Sequence, residues 1–224
     1  MEYMDIQTFN TDVKLTDSLD DLLEASASLA SDIVNFGARA DAYNSQALVV
    51  ASRLGRFDVA MKLLSAGADA SADNSQALIE AASNGHVTLV GLLLIHSANA
   101  SARESRALVE GVSTGSHLIV HMLLAYGANA DVNDSCALQS AASRGYTDIV
   151  RLLLAYGADV GALSSCALVS SAFYGYTDVV ALLLEQGERI LYVDIINAVE
   201  EAKGNCHNDI VHMLEIYMYK RLRE

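Results

Sequence analysis

Residues 134–163 read DSCALQSAASRGYTDIVRLLLAYGADVGAL, and the same pattern returns along most of the chain without a gap. Copies lie at 44–73, 74–103, 104–133, 134–163 and 164–193, each of 30 residues. Columns stay chemically coherent throughout: Ser45, Ser75, Ser105, Ser135 and Ser165; Leu48, Leu78, Leu108, Leu138 and Leu168; Gly55, Gly85, Gly115, Gly145 and Gly175. Self-similarity at a fixed period near 30 residues specifies a solenoid, in which each unit buries its apolar face against its neighbours rather than in one central core.

Inside a copy the pattern is helical twice over. Leu78, Ala81 and Ala82 fall at i, i+3 and i+4, a single apolar stripe ending near Gly85. The small alanines let the next repeat approach closely. A second helix follows, clearest at Thr147 to Leu154, whose Val and Leu residues cover too wide an arc for a surface helix and fit one sandwiched between layers. It ends at Gly157, with Gly37, Gly67, Gly127 and Gly187 in the same column and Ser97 as the exception. Glycine there permits the left-handed conformation that closes a helix. The serine column stands three residues before the first buried Leu, the place for a hydroxyl that caps the first helix.

Composition sets the class. Hydrophobic residues make up 52% of the 224, Pro and Trp are absent and aromatics are 6%, which suits an Ala/Leu-rich helical array. The net charge of −14 argues against phosphate backbones and anionic membranes, whose binding depends on Lys and Arg. Half of the excess lies in 1–43, with nine acidic and two basic residues. No signal-peptide pattern opens the chain, and the longest apolar run, Leu89 to Ile95, is too short to span a bilayer. Three cysteines at separations of 30 and 40 residues make no disulfide framework, so reduced thiols and a soluble, cytoplasmic protein are expected.

These features resemble the ankyrin repeat. The match runs Ala77-Leu78-Ile79-Glu80-Ala81-Ala82-Ser83-Asn84-Gly85-His86, then Leu89-Val90 and Leu92-Leu93-Leu94, with Gly67-Ala68-Asp69 and Gly157-Ala158-Asp159 closing units. It is strong over 44–193 and weak at both flanks. The family's T-P-L-H signature is replaced: Gln46, Gln76, Arg106, Cys136 and Cys166 stand for Thr, and alanine for Pro. Nine residues separate Gly67 from Gln76 where the usual repeat has twelve, so the projecting β-hairpin should shrink to a short connector. This resembles the compact 30-residue type abundant in giant DNA viruses of amoebae and in some intracellular microbes.

The resemblance implies an all-α solenoid with a 1–13 leader, a degenerate capping repeat at 14–43, five full repeats and a capping repeat with tail at 194–224, where the register slips by one. It also implies that the outer side of the first helices lines a concave groove. At 100° per residue the positions two before, two after and five after the conserved Leu point away from the core. They are Gln46, Val50 and Arg53; Gln76, Glu80 and Ser83; Arg106, Glu110 and Ser113; Cys136, Ser140 and Ser143; Cys166, Ser170 and Phe173, with Arg144 and Tyr174 beside them. The groove passes from long charged side chains to Cys and Ser and ends on two aromatics. Two readings of Phe173-Tyr174 stay open: an anchor for a partner helix or peptide, or ordinary surface packed against the C-terminal cap.

Chemistry is thin elsewhere. His117 and His121 are one turn apart, but no third ligand is apparent and Arg151 lies in the column next to His121, so solvated histidines are expected and no metal. Cys136 and Cys166 lack a histidine in their groove column to activate them. His86, His96, Tyr126 and Tyr156 sit at family framework positions. No phosphate-binding loop, paired catalytic carboxylates or nucleophile elbow occurs. The expected function is therefore non-enzymatic binding of a protein or peptide, without cofactor, metal, nucleic acid or membrane, by a monomer that acts as adaptor or inhibitor of a host protein. The alternative is a structural or self-associating scaffold component.

Overall fold

A computed structural model describes residues 40–133 and 135–223. The expected leader, and the first capping repeat as far as residue 39, lie outside the described residues.

Twelve α-helices form among the described residues, in pairs: α1 (Ala40–Arg53) and α2 (Phe57–Ser65), α3 (Ala72–Ser83) and α4 (Val87–Ile95), α5 (Ala102–Ser113) and α6 (His117–Ala125), α7 (Cys136–Ser143) and α8 (Thr147–Ala155), α9 (Ala162–Tyr174) and α10 (Thr177–Leu184), and α11 (Tyr192–Gly204) and α12 (Asn208–Arg221). No strand occurs among them. Each odd-numbered helix packs on its own partner and on the next odd-numbered helix, and the even-numbered file stacks likewise, giving two helical layers. The chain is an all-α repeat solenoid.

The core is continuous from one end to the other because the columns superpose. Leu48, Leu78, Leu108 and Leu168 are fully buried and Leu138 is nearly so, facing Leu63, Leu93, Leu123, Leu153 and Leu183 from the second helices. Fully burying one such leucine contributes about 1.5–3 kcal/mol. The alanine column at Ala51, Ala81 and Ala141 becomes Gly111 in the third of these units, where a Cβ would stand 2.8 Å from Ile119 Cγ2. Ile119 thus lies against Gly111 more closely than a side chain there would allow.

The serine column is structural, but not as a helix cap. Ser75, Ser105 and Ser135 have φ of 59°, 55° and 56°, in the left-handed region, and none caps its helix. An N-cap requires an extended residue whose hydroxyl reaches the next amides. Here the hydroxyl is turned instead to the far end of its own repeat, where Ser75 Oγ accepts from the Asn99 N–H, Ser105 Oγ from Asn129 and Ser135 Oγ from Asp159, each at 2.8 Å. In the last joint Ser165 Oγ instead donates to the buried Asp194 carboxylate at 2.8 Å. The Asp/Asn column beside them forms Asx turns, with Asp69, Asn99, Asn129 and Asp159 each accepting from the amide two residues on.

A second device joins neighbouring repeats. At four of the five turn glycines a ring from the next repeat lies over the bare Cα, so that a Cβ on Gly55 would stand 2.7 Å from His86, on Gly115 2.9 Å from Tyr146, on Gly145 2.6 Å from Tyr176 and on Gly175 2.6 Å from His207. The two histidines also reach a carbonyl, Nε2 to Arg53 O at 3.1 Å and to Phe173 O at 3.0 Å. A carbonyl only accepts, so Nε2 carries the proton in each. One joint is missing: Ser116 occupies the ring position and nothing lies within 4 Å of a Cβ on Gly85. Replacing Ser116 by His fills this slot at the cost of a long cap bond to Ile119 N of 3.4 Å. The expected result is a gain of about 1 kcal/mol, a rise in Tm of roughly 2–4 °C by calorimetry.

Candidate functional site

The first-helix side chains that point away from the core form one file across the odd-numbered helices, and the file divides into two chemically different halves.

In the early half the sequence's charged positions converge. Arg53 grips Glu80 with two bonds, Nε to Oε2 at 3.0 Å and Nη2 to Oε1 at 3.2 Å. Gln76 Nε2 donates to Glu80 Oε1 at 2.8 Å, and Gln76 Oε1 accepts from Arg103 Nη1 at 2.7 Å. Arg103 Nη2 continues to Asp73, to its carbonyl at 3.2 Å and its carboxylate at 3.0 Å. Asp73 and Arg103 stand in the first turn of α3 and α5 with left-handed φ of 48°, and were not among the groove positions read from the sequence, because a 100° wheel assumes right-handed helical backbone. Arg106 and Glu110 pair along α5 at 2.6 Å. Gln76, Glu80, Arg103, Arg106 and Glu110, with Ile79 and Ser83, line a cavity of about 560 Å³.

Fork-shaped bonding to Arg53 holds the Glu80 carboxyl below its usual range, outweighing the opposing effect of partial burial, and raises Arg53 in turn. A depressed carboxylate stabilises the fold above its unfolded value of about 4.3 and loses that contribution as pH falls through the folded one. Because the Arg53 side chain is half exposed, solvent screens the pair. Glu80→Gln is expected to cost about 0.5–1 kcal/mol at neutral pH. In urea titrations the difference from wild type should close as pH falls from about 5 to 3.

The late half is built differently. Cys136, Ser140, Ser143, Cys166 and Ser170 are half-buried and form a floor of small side chains. Burial pushes the Cys136 thiol up, and Cys166 Sγ donates to Leu163 O at 2.9 Å. Both cysteines are free thiols. Arg144 is exposed, with Nη1 bonded to Ser140 of its own helix, at the carbonyl (3.2 Å) and the hydroxyl. Phe173 and Tyr174 meet edge to face with centroids 4.9 Å apart, and Tyr174 lies 6.2 Å from Tyr176. They remain 41% and 54% exposed while His207, the residue before α12, ties the Phe173 carbonyl. Both rings are thus partly exposed on the file, while the Phe173 backbone is tied to the C-terminal helix pair.

The structure thus brings Gln76, Glu80, Arg106 and Glu110 to one cleft and sets Cys136, Ser140, Arg144, Cys166, Phe173 and Tyr174 along its continuation. His117 and His121 stack with centroids 6.3 Å apart on the exposed side of α6. Among the described residues no group of three or more His, Cys, Asp and Glu is disposed to hold a metal ion, and no helix is long and apolar enough to cross a membrane. The ring-over-glycine joints were missed from sequence. Their signal was the column Arg56, His86, Ser116, Tyr146 and Tyr176 directly after each turn glycine, but the glycine that each ring covers belongs to the preceding repeat.

No curated protein sequence matches the chain. Among solved structures, the ankyrin repeat domain of human ASB11 is similar with a TM-score of 0.65, covering 76% of this chain and 82% of that one; at 22% identity the likeness speaks to the fold. The family model for ankyrin repeats in three copies matches at 48–134 and again at 108–194, so that the two matches cover more than half of the sequence. Paired helices, glycine-closed turns and this match together mean that the chain belongs to the ankyrin-repeat family.

Proposed function

We propose that the chain is a non-catalytic module that binds a protein or peptide along the concave file of its first helices. Ankyrin repeats generally serve as protein–protein interaction modules. The observation that carries the reading here is the file itself: an unbroken run of outward side chains whose early half is already ordered by the Arg53–Glu80–Gln76–Arg103–Asp73 network. Groups held before binding lose little conformational freedom on association, so their contacts count toward affinity. The compact repeat and the acidic charge accord with an adaptor or inhibitor that works as a monomer in the cytoplasm of a host cell.

A photo-crosslinking residue placed at Ser113 on the concave side, or at Lys62 on the second-helix side, tests this in cell lysate. A specific adduct from position 113 and none from 62 supports groove binding, and the converse overturns it. A second reading rests on the exposed apolar residues of the last helix pair and its approach, Leu191, Val193, Ile216, Tyr219 and Leu222. There the array associates with itself end to end. Sedimentation showing mass that rises with concentration, together with no adduct from either position, would favour that second reading.

A further inference from the structure

We propose that the late half of the groove takes a peptide segment carrying a carboxylate close to an aromatic or bulky aliphatic side chain, with the carboxylate on Arg144 and the apolar group on Phe173 and Tyr174. This rests on the groove reading above and names the ligand class for it.

Charge pairing singles out Arg144. The other arginines along the concave side each have a carboxylate: Arg53 has Glu80, Arg103 has Asp73 and Arg106 has Glu110. Arg144 has none among the described residues. Its one bonded nitrogen is Nη1, and its partners are the uncharged carbonyl and hydroxyl of Ser140. Nη2 and Nε have no partner among the described residues, so the guanidinium keeps the side-on pair of donors that a carboxylate accepts in bidentate fashion. In a chain with twice as many acidic as basic residues, 28 against 14, an exposed arginine with no acid beside it is a position kept clear of internal carboxylates. The floor beside it, Cys136, Ser140, Cys166 and Ser170, carries no acid that would repel an incoming one.

Geometry supplies the second half of the motif. Arg144 and Tyr174 are equivalent residues of adjacent repeats, separated by about one helix spacing of 8–10 Å. Side chains two or three residues apart on an extended segment span roughly 7–10 Å. The two rings brace one another edge to face, and the backbone that carries them is tied through the Phe173 carbonyl to His207. They present a firm apolar surface that needs little ordering on contact. A basic segment, favoured by the net charge of the whole chain, would meet Arg144 directly, and that local repulsion acts at much shorter range than the screened field of distant acids.

Selection of a random peptide library on phage against the full chain tests this. Enriched peptides should carry Asp or Glu two or three residues from Phe, Tyr, Trp or Leu. A synthetic representative should lose affinity about tenfold or more on R144Q, and comparably on the F173A/Y174A double variant, with thermal melts of both unchanged. Selection against R144E should move the enriched charge to Lys or Arg at the same place. A consensus without an acid, a basic consensus on wild type, or equal affinity for wild type and R144Q would each overturn the proposal. If such peptides still lose binding when Arg106 and Glu110 are replaced by Ala, the groove reading stands without it. If no peptide is enriched, both readings fall.

Discussion

Replacing Gly145 by alanine should destabilise the protein by about 2–4 kcal/mol, far more than glycine-to-alanine changes in exposed turns. Two costs coincide at this residue. Its φ is +72°, so any Cβ adds left-handed strain of about 1–2 kcal/mol. The added carbon would also stand 2.6 Å from the Tyr176 ring, which must then lift off the joint it makes with the preceding repeat. Gly127 separates the two costs. It has φ of +92° but nothing within 4 Å of a Cβ, so its alanine variant should show the strain alone, about 1 kcal/mol. Urea denaturation of both variants checks the difference. Equal losses would mean that the ring contact contributes nothing. Pairing Gly145→Ala with Tyr176→Ala should recover the steric part but not the conformational part.

The second large effect is expected at Leu108, whose replacement by alanine should cost about 3–5 kcal/mol. This side chain is fully buried at the middle of the stack, with Leu78 and Leu138 on either side in its own layer and Ile119 and Leu123 from the second layer within the same core. Repeats on both sides lean on it, so the cavity has little freedom to collapse. Leu118, ten residues on, is 62% exposed, and its alanine variant should change stability by less than about 0.5 kcal/mol. Because stability in a solenoid is close to a sum over units and their interfaces, Leu108→Ala should also broaden the urea transition as the two flanking halves begin to melt separately. A single sharp transition at lower urea would instead show that the array still unfolds as one unit.

By itself the sequence determined the architecture. Five copies in register place Leu48 to Leu168, Ala51 to Ala141 and the turn glycines on superposed columns, and a period of that kind is satisfied only by stacked helix pairs. The concave positions were legible for the same reason: once the buried stripe is known, helical geometry says which side chains point away from it, and Gln76, Glu80, Arg106 and Glu110 do line one cleft. Tertiary structure alone decided what those side chains do to one another. The serine column could be read as a helix cap because a cap is a local event. Its actual acceptor role pairs residues 24 apart through a left-handed turn that no local propensity announces. Arg103 and Asp73 enter the groove from left-handed first turns, the rings of His86, Tyr146, Tyr176 and His207 find their glycines one repeat back, and the Arg144 guanidinium bonds only Ser140 among the described residues. Periodicity fixes which residues share a column, because every unit obeys the same helix geometry. Which neighbours pair across columns depends on distances and directions between units, and those exist only once the units are stacked.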